Sequence, residues 1–196
     1  MGHKWMPHYQ DEEYFGDIPA PYSPERMKPL SHEAAEGRAN PKGITCLYLA
    51  TDKETAIAEV RPWLGSLVSV GQFRISNDII LIDCSVHRDE ALIYFEEPTP
   101  EEREHSVWAD IDKAFSKPTT NNDRIADYVP TQILSEFFKN NGFDGIIYKS
   151  LLGGGFNVAL FDLDKAELVN CFLYEVDNIS FLFKEAANPY FVKNKE

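Results

Sequence analysis

The chain has 196 residues, 43% of them hydrophobic and 13% aromatic, which suits one globular domain and excludes a disordered polymer. A formal net charge of -13 opposes binding to nucleic acid or to an anionic membrane surface, since both need clustered Lys and Arg; an anionic ligand would need a local basic patch. Cys46, Cys84 and Cys171 are odd in number and form no CxxC pair, so a secreted disulfide framework is excluded and reduced thiols in a cytoplasm are expected.

Residues 1–44 are rich in Pro, Gly, His and acidic groups and show no hydrophobic period; they predict a loop-rich arm. The run Met1–Gln10 lacks the apolar core of a signal peptide, and no apolar run in the chain is long enough to span a bilayer. Residues 45–50 (TCLYLA) predict a buried strand. Thr51 to Glu54 has the spacing of a capping box, with Thr51 as cap, and opens a helix that runs to about Arg61 and stops at Pro62. Residues 67–75 (LVSVGQFRI) and 79–84 (IILIDC) predict strands. A helix over 100–116 follows, begun by the solvated run Glu101–Glu104, then a polar break at 117–123, then a second helix over 125–140 stopped by Gly142. Residues 145–149 (GIIYK) and 156–161 (FNVALF) predict strands around the turn LLGGG, and 166–175 with 178–184 a final strand pair. Interrupted strands with few helices predict an α+β fold rather than a regular βαβ series.

Four places could carry chemistry. Arg38 lies between Gly37 and the Asn40-Pro41 turn, a stiff loop that suits a guanidinium gripping phosphate; the competing reading is an Arg that ties down its own loop. Tyr48 on the strand is followed by Glu59 late on the next helix. Glu59 has the apolar neighbours Ala56, Ala58 and Val60, an unusual setting for a carboxylate, to be weighed against a solvated face or a pair with Arg61 or Lys53. Ser150 precedes a Gly153–Gly155 turn whose backbone N–H groups could approach an anion, although a plain hairpin turn is the commoner explanation. The Tyr128–Gln132 segment is explained by helix capping through Pro130 and Thr131. His3, His8, His32, His87 and His105 lack zinc-site spacing, no G-x-S-x-G elbow is present, and no Cys has a local case as a nucleophile; no metal is expected.

Three linked stretches, GRANPKGITCLYLATDKETAIAEVRPW at 37–63, ADYVPTQILSEFF at 126–138 and GFDGIIYKSLLGGGFNVALFD at 142–162, resemble the RES-domain family, in the family's order. The resemblance implies a compact α+β domain at 37–196, with 1–36 as its arm, similar to ADP-ribosyltransferases such as diphtheria toxin. It implies a toxin that consumes NAD⁺ as substrate by phosphorolysis or hydrolysis, with inorganic phosphate as a candidate co-substrate, beside a cognate Xre-type antitoxin. Some members are described as ADP-ribosylating a protein. By position, Arg38, Tyr48, Glu59 and Ser150 match the family's site residues, and Asn157 stands where the family tends to place a polar side chain. The family also carries an Arg on an opening strand. Residues 1–20 hold no Arg and Arg26 lies too close to Arg38, so the expectation is a strand upstream of Met1, completion of the site by Lys42 or Arg61, or a crippled NAD-binding protein. Oligomeric state, a homo-oligomer included, stays open.

These residue types suit the bond. Nicotinamide leaves as a neutral group from a cation, so no general acid is required, unlike ordinary glycosides. One carboxylate, here Glu59, can stabilise an oxocarbenium-like transition state. Tyr48 can stack on the flat ring, Arg38 hold phosphate, and Ser150 position ribose or carboxamide.

Overall fold

A computed structural model describes residues 2–30, 33–75, 78–86, 96–117, 127–180 and 182–185. The chain opens with an antiparallel hairpin, β1 (Lys4–Gln10) against β2 (Glu13–Ala20). This corrects the loop-rich reading of residues 4–20. The hairpin is joined by Asp11 and Glu12, both in left-handed conformation (φ 48 and 69), a two-residue turn that normally selects Gly or Asn. The strands contain Pro7 and Pro19, which weaken the strand signal. Residues 21–30 and 33–46 do run as loop and turns, apart from a 3-10 turn at Pro24–Arg26.

The centre is a four-stranded sheet. β3 (Leu47–Ala50) runs antiparallel to β7 (Phe156–Leu160), β7 antiparallel to β6 (Gly145–Lys149), and β6 parallel to β5 (Leu81–Asp83), in the order β3-β7-β6-β5. Side chains alternate across it. One face carries Ile82, Ile146 and Ala159 beneath Phe115 and Phe138, which come from α2 (Pro100–Ser116) and α3 (Val129–Asn140). The other carries Leu47, Val158 and Leu160, packed with Phe73, Ile75 and Ala166 from a second antiparallel pair, β4 (Leu67–Ile75) with β8 (Ala166–Glu175). Helices on one side and an antiparallel pair on the other give the α+β fold that the pattern predicts.

Several local expectations change. The helix after β3, α1, spans Lys53–Glu59, and its cap is Asp52: the Asp52 carboxylate accepts from Thr55 N at 2.7 Å. Thr51 is not the cap; its hydroxyl donates to Asp52 and accepts from Phe156 N, tying the helix to β7. The helix also stops two residues early. A residue before proline is disfavoured in the right-handed helical region, and Arg61, ahead of Pro62, takes φ 47. The capping box instead opens α2, where Thr99 and Glu102 each bond the other's backbone N–H. Residues 178–180 and 182–185 are not a strand; β8 finds its partner in β4, about a hundred positions earlier. The polar break at 118–123 and positions 125–126 of the second helix lie outside the described residues. Among the described residues, no helix is long and apolar enough to cross a membrane.

Candidate functional site

The site begins with the strand pairing. Tyr48 is opposite Ala159, and Asn157 is opposite both Ala50 and Tyr148. Paired residues share a face, so Tyr48, Asn157 and Tyr148 project on the side covered by α2 and α3. Ser150 follows Tyr148 by two positions, immediately past the end of β6.

Glu59 ends α1 above this face. Its Oε1 accepts two hydrogen bonds, from Ser150 Oγ at 2.7 Å and from Asn157 Nδ2 at 2.7 Å. Ser150 Oγ in turn accepts from Leu152 N at 3.0 Å and Gly153 N at 2.9 Å. The hydroxyl proton is thereby committed to Glu59. The apolar neighbours of Glu59 do not bury it: as the last helical residue it lies on the exposed side of α1, and Ala58 and Ala56 are only partly covered. Its orientation comes from hydrogen bonds, not from burial. Both Ser150 and Asn157 are buried, so the two donors are fixed and the carboxylate is set against them.

The glycine turn serves helix α1. A Cβ on Gly155 would run into Asp52 Oδ2, and one on Gly153 would come within 2.6 Å of Thr55 Oγ1. Gly155 N donates to Thr55 Oγ1 at 2.9 Å. The close backbone approach that glycine allows is used to dock the turn on the helix that carries Glu59.

Arg38 comes to the same place from the other side. Its Nη1 donates to Ala114 O at 2.8 Å and its Nη2 donates to Lys117 O, so the guanidinium grips the carbonyl end of α2. It also stands over the Tyr128 ring, 5.6 Å from the centroid. The loop around it is stiff. Gly37 and Asn40 exchange backbone hydrogen bonds, and Gln132 Nε2 donates to both of their carbonyls. Asn40, 3% exposed, is the hub: Nδ2 faces the carbonyls of Ala35, Pro41 and Ile44, and Oδ1 accepts from the Tyr48 hydroxyl at 2.8 Å. That hydroxyl also accepts from Ala39 N at 2.9 Å. Tyr48 is therefore a brace for the Arg38 loop at its hydroxyl, while 42% of the residue stays exposed. Enclosure of the hydroxyl, then the neighbouring Cys46, pushes its pKa well above the usual phenol value.

Arg38, Glu59, Arg61, Lys117, Tyr148 and Asn157 line one cavity of about 60 Å³. Ser150 reaches it through Glu59 and Tyr48 reaches it through the Arg38 loop. Of the five residues expected at a site, Arg38, Glu59 and Asn157 line the cavity and Ser150 bonds Glu59 beside it, whereas Tyr48 bonds only the Arg38 loop and does not line it. Lys42 is exposed and does not line the cavity; Arg61 does.

Several contributors, Lys117 on the cavity wall among them, escaped the sequence reading. Tyr148 looked like one more apolar position in GIIYK. Asn40 and Gln132 looked like turn and capping residues; Pro130 and Thr131 do begin α3, but no side chain caps it, and the buried Thr131 hydroxyl donates back to Tyr128 O at 3.0 Å. Asp112, buried on α2, accepts from Ser116 Oγ at 3.0 Å, and Ser116 also lines the cavity. Its i, i+4 spacing to Ser116 was the available signal. Cys46 and Cys84 are buried and their pKa values are raised to about 12 by that burial, which leaves them protonated and poor nucleophiles.

A protein-family model described as RES domain matches residues 17–183, most of the chain. No curated protein and no solved structure matches it.

Proposed function

The chain belongs to the RES-domain family, and on that premise we propose that it is an enzyme that breaks the nicotinamide–ribose bond of NAD⁺, acting as a toxin held in check by an Xre-type antitoxin. The observation that carries this reading is the state of Glu59. Ser150 and Asn157 hold Oε1, whereas Oε2 has no hydrogen-bond partner among the described residues and belongs to a group on the cavity wall. A carboxylate fixed in advance, with one oxygen free, is suited to stabilising a cation that forms only in the transition state.

The remaining roles follow from position. Arg38, Arg61 and Lys117 supply three cations at the cavity, in a chain whose overall charge opposes an anion. Two of the Arg38 donors are spent on α2, so Arg61 shares the phosphate grip in this reading. The enclosed volume of about 60 Å³ admits only a small part of the substrate, so most of the dinucleotide would lie outside it in this reading; Tyr48 does not line the cavity, and its exposed part is the aromatic surface on offer for stacking.

The experiment is incubation of purified protein with NAD⁺, with and without inorganic phosphate, followed by product analysis. Hydrolysis gives nicotinamide and ADP-ribose; phosphorolysis gives nicotinamide and a phosphorylated ADP-ribose only when phosphate is present. Label appearing on protein would indicate transfer instead. No release of nicotinamide under any of these conditions would overturn the reading.

A further inference from the structure

Tyr148 sits at the cavity with a role that the hydrogen-bond network does not explain. The residue is 6% exposed, and its ring packs against Phe115 with centroids 5.7 Å apart. A buried tyrosine normally finds a partner for its hydroxyl. Here the hydroxyl makes no hydrogen bond with any described residue, and it is not one of the enclosed orphan atoms, which are His3 Nε2 and Ser135 Oγ. It is instead reachable from the cavity that Tyr148 lines with Glu59. Burial, with Glu59 nearby, pushes the phenol pKa well up. The group therefore stays protonated and can act as a donor, but not as a base.

The cavity thus presents a matched pair, one free acceptor at Glu59 Oε2 and one free donor at the Tyr148 hydroxyl. A vicinal diol supplies the complement, since one hydroxyl can donate to the carboxylate while its neighbour accepts from the phenol. We propose that Tyr148 is a specificity-determining residue that reads the nicotinamide-side ribose. Glu59 accepts from the 2′-hydroxyl, next to the anomeric carbon where the charge develops, and Tyr148 donates to the 3′-hydroxyl. This rests on NAD⁺ cleavage as the activity. It adds a prediction that the activity alone does not make: the enzyme selects for an intact ribose diol.

The test pairs an enzyme lacking one hydroxyl with a substrate lacking one. Wild-type protein and Tyr148→Phe are each given NAD⁺ and its analogue lacking the 3′-hydroxyl on the nicotinamide ribose, and kcat/KM is read for all four combinations. Wild type is expected to favour NAD⁺ by about tenfold, the worth of one buried neutral hydrogen bond. In Tyr148→Phe that preference should fall to within about twofold, because the two deletions remove the same bond and their effects do not add. The Phe ring keeps the packing on Phe115, so folding is expected to survive. A Tyr148→Phe enzyme that keeps the full preference would overturn the proposal. So would a wild-type enzyme that cleaves both substrates equally, a result that needs no variant. If wild-type protein releases no nicotinamide from NAD⁺ itself, the parent reading fails and this one falls with it.

Discussion

The four-stranded sheet, antiparallel except at its β5–β6 edge, and the antiparallel N-terminal hairpin have opposite fates. The central strands are short, three to five residues each, and packed on both faces. The hairpin strands are longer, seven and eight residues, and carry Trp5, Met6, Tyr9, Tyr14, Phe15 and Ile18 exposed. Strand length is a poor guide to where a protein keeps its rigid parts. Cover is the better one. A two-stranded ribbon is marginal by itself in water, whereas a sheet with helices on one side and a second pair of strands on the other can hold buried polar side chains in fixed positions. The site uses this: Ser150, Asn157 and Tyr148 are all buried and all on or beside the central strands.

If cover is what matters, the largest effect should come from removing it. Phe115, 1% exposed, fills the space between α2 and Tyr148. Phe115→Ala is expected to cost about 3–5 kcal/mol of unfolding free energy, measured by denaturant titration. A loss below about 1 kcal/mol would mean that α2 does not seal the sheet face.

Glu59→Gln should separate the site from the scaffold. The amide oxygen can still accept from Ser150 and Asn157, so the fold should keep its stability, while the charge that opposes the developing cation is gone. Turnover of NAD⁺ is expected to fall by roughly 10²–10³. Near-wild-type turnover would remove Glu59 from the chemistry; a large drop in stability would mean that it belongs to the scaffold after all.

Arg38→Lys tests the side chain that serves both. An ammonium can keep one of the two α2 carbonyls but cannot span Ala114 O and Lys117 O as the planar guanidinium does. A stability loss of about 1 kcal/mol is expected, with weaker NAD⁺ binding. If binding is unchanged while stability falls, Arg38 is an anchor for α2 and the phosphate grip belongs to Arg61 and Lys117.

The same contrast governs what could be read from residues alone. The strands 67–75 and 145–149 and the helix 100–116 were legible to the residue, because their hydrophobic periods answer to packing on a core. The hairpin was not: with neither face packed there is no period to impose, and a turn made of Asp11 and Glu12 gives none of the usual signals. The β4–β8 pairing was not legible either, since nothing local in 166–175 names a partner a hundred positions away. At the site, Glu59, Ser150 and Asn157 could be grouped only through a family pattern, because the hydrogen bonds joining them cross 91 and 98 positions, and Arg38 joins them only by lining the same cavity. Tyr148 stayed hidden because its ring obeys the strand's apolar alternation, while the lack of a hydroxyl partner among the described residues is a property of the folded cavity.

The smallest expected effect lies on the hairpin, and it bears directly on the comparison. Phe15 is 63% exposed and falls at the point where the pairing of β1 and β2 shifts register between His8 and Tyr9. A bulge position makes little use of its side chain in the ladder. Phe15→Ser should therefore change unfolding free energy by no more than about 0.5 kcal/mol and leave NAD⁺ turnover untouched. It should also raise solubility, since it breaks up an exposed apolar surface of the kind that drives association. A loss above about 1 kcal/mol, measured at a protein concentration where the chain is monomeric, would show that Phe15 is covered within its own chain. The hairpin would then be part of the packed scaffold, and the division between a covered sheet that holds the site and an uncovered ribbon would have to be withdrawn.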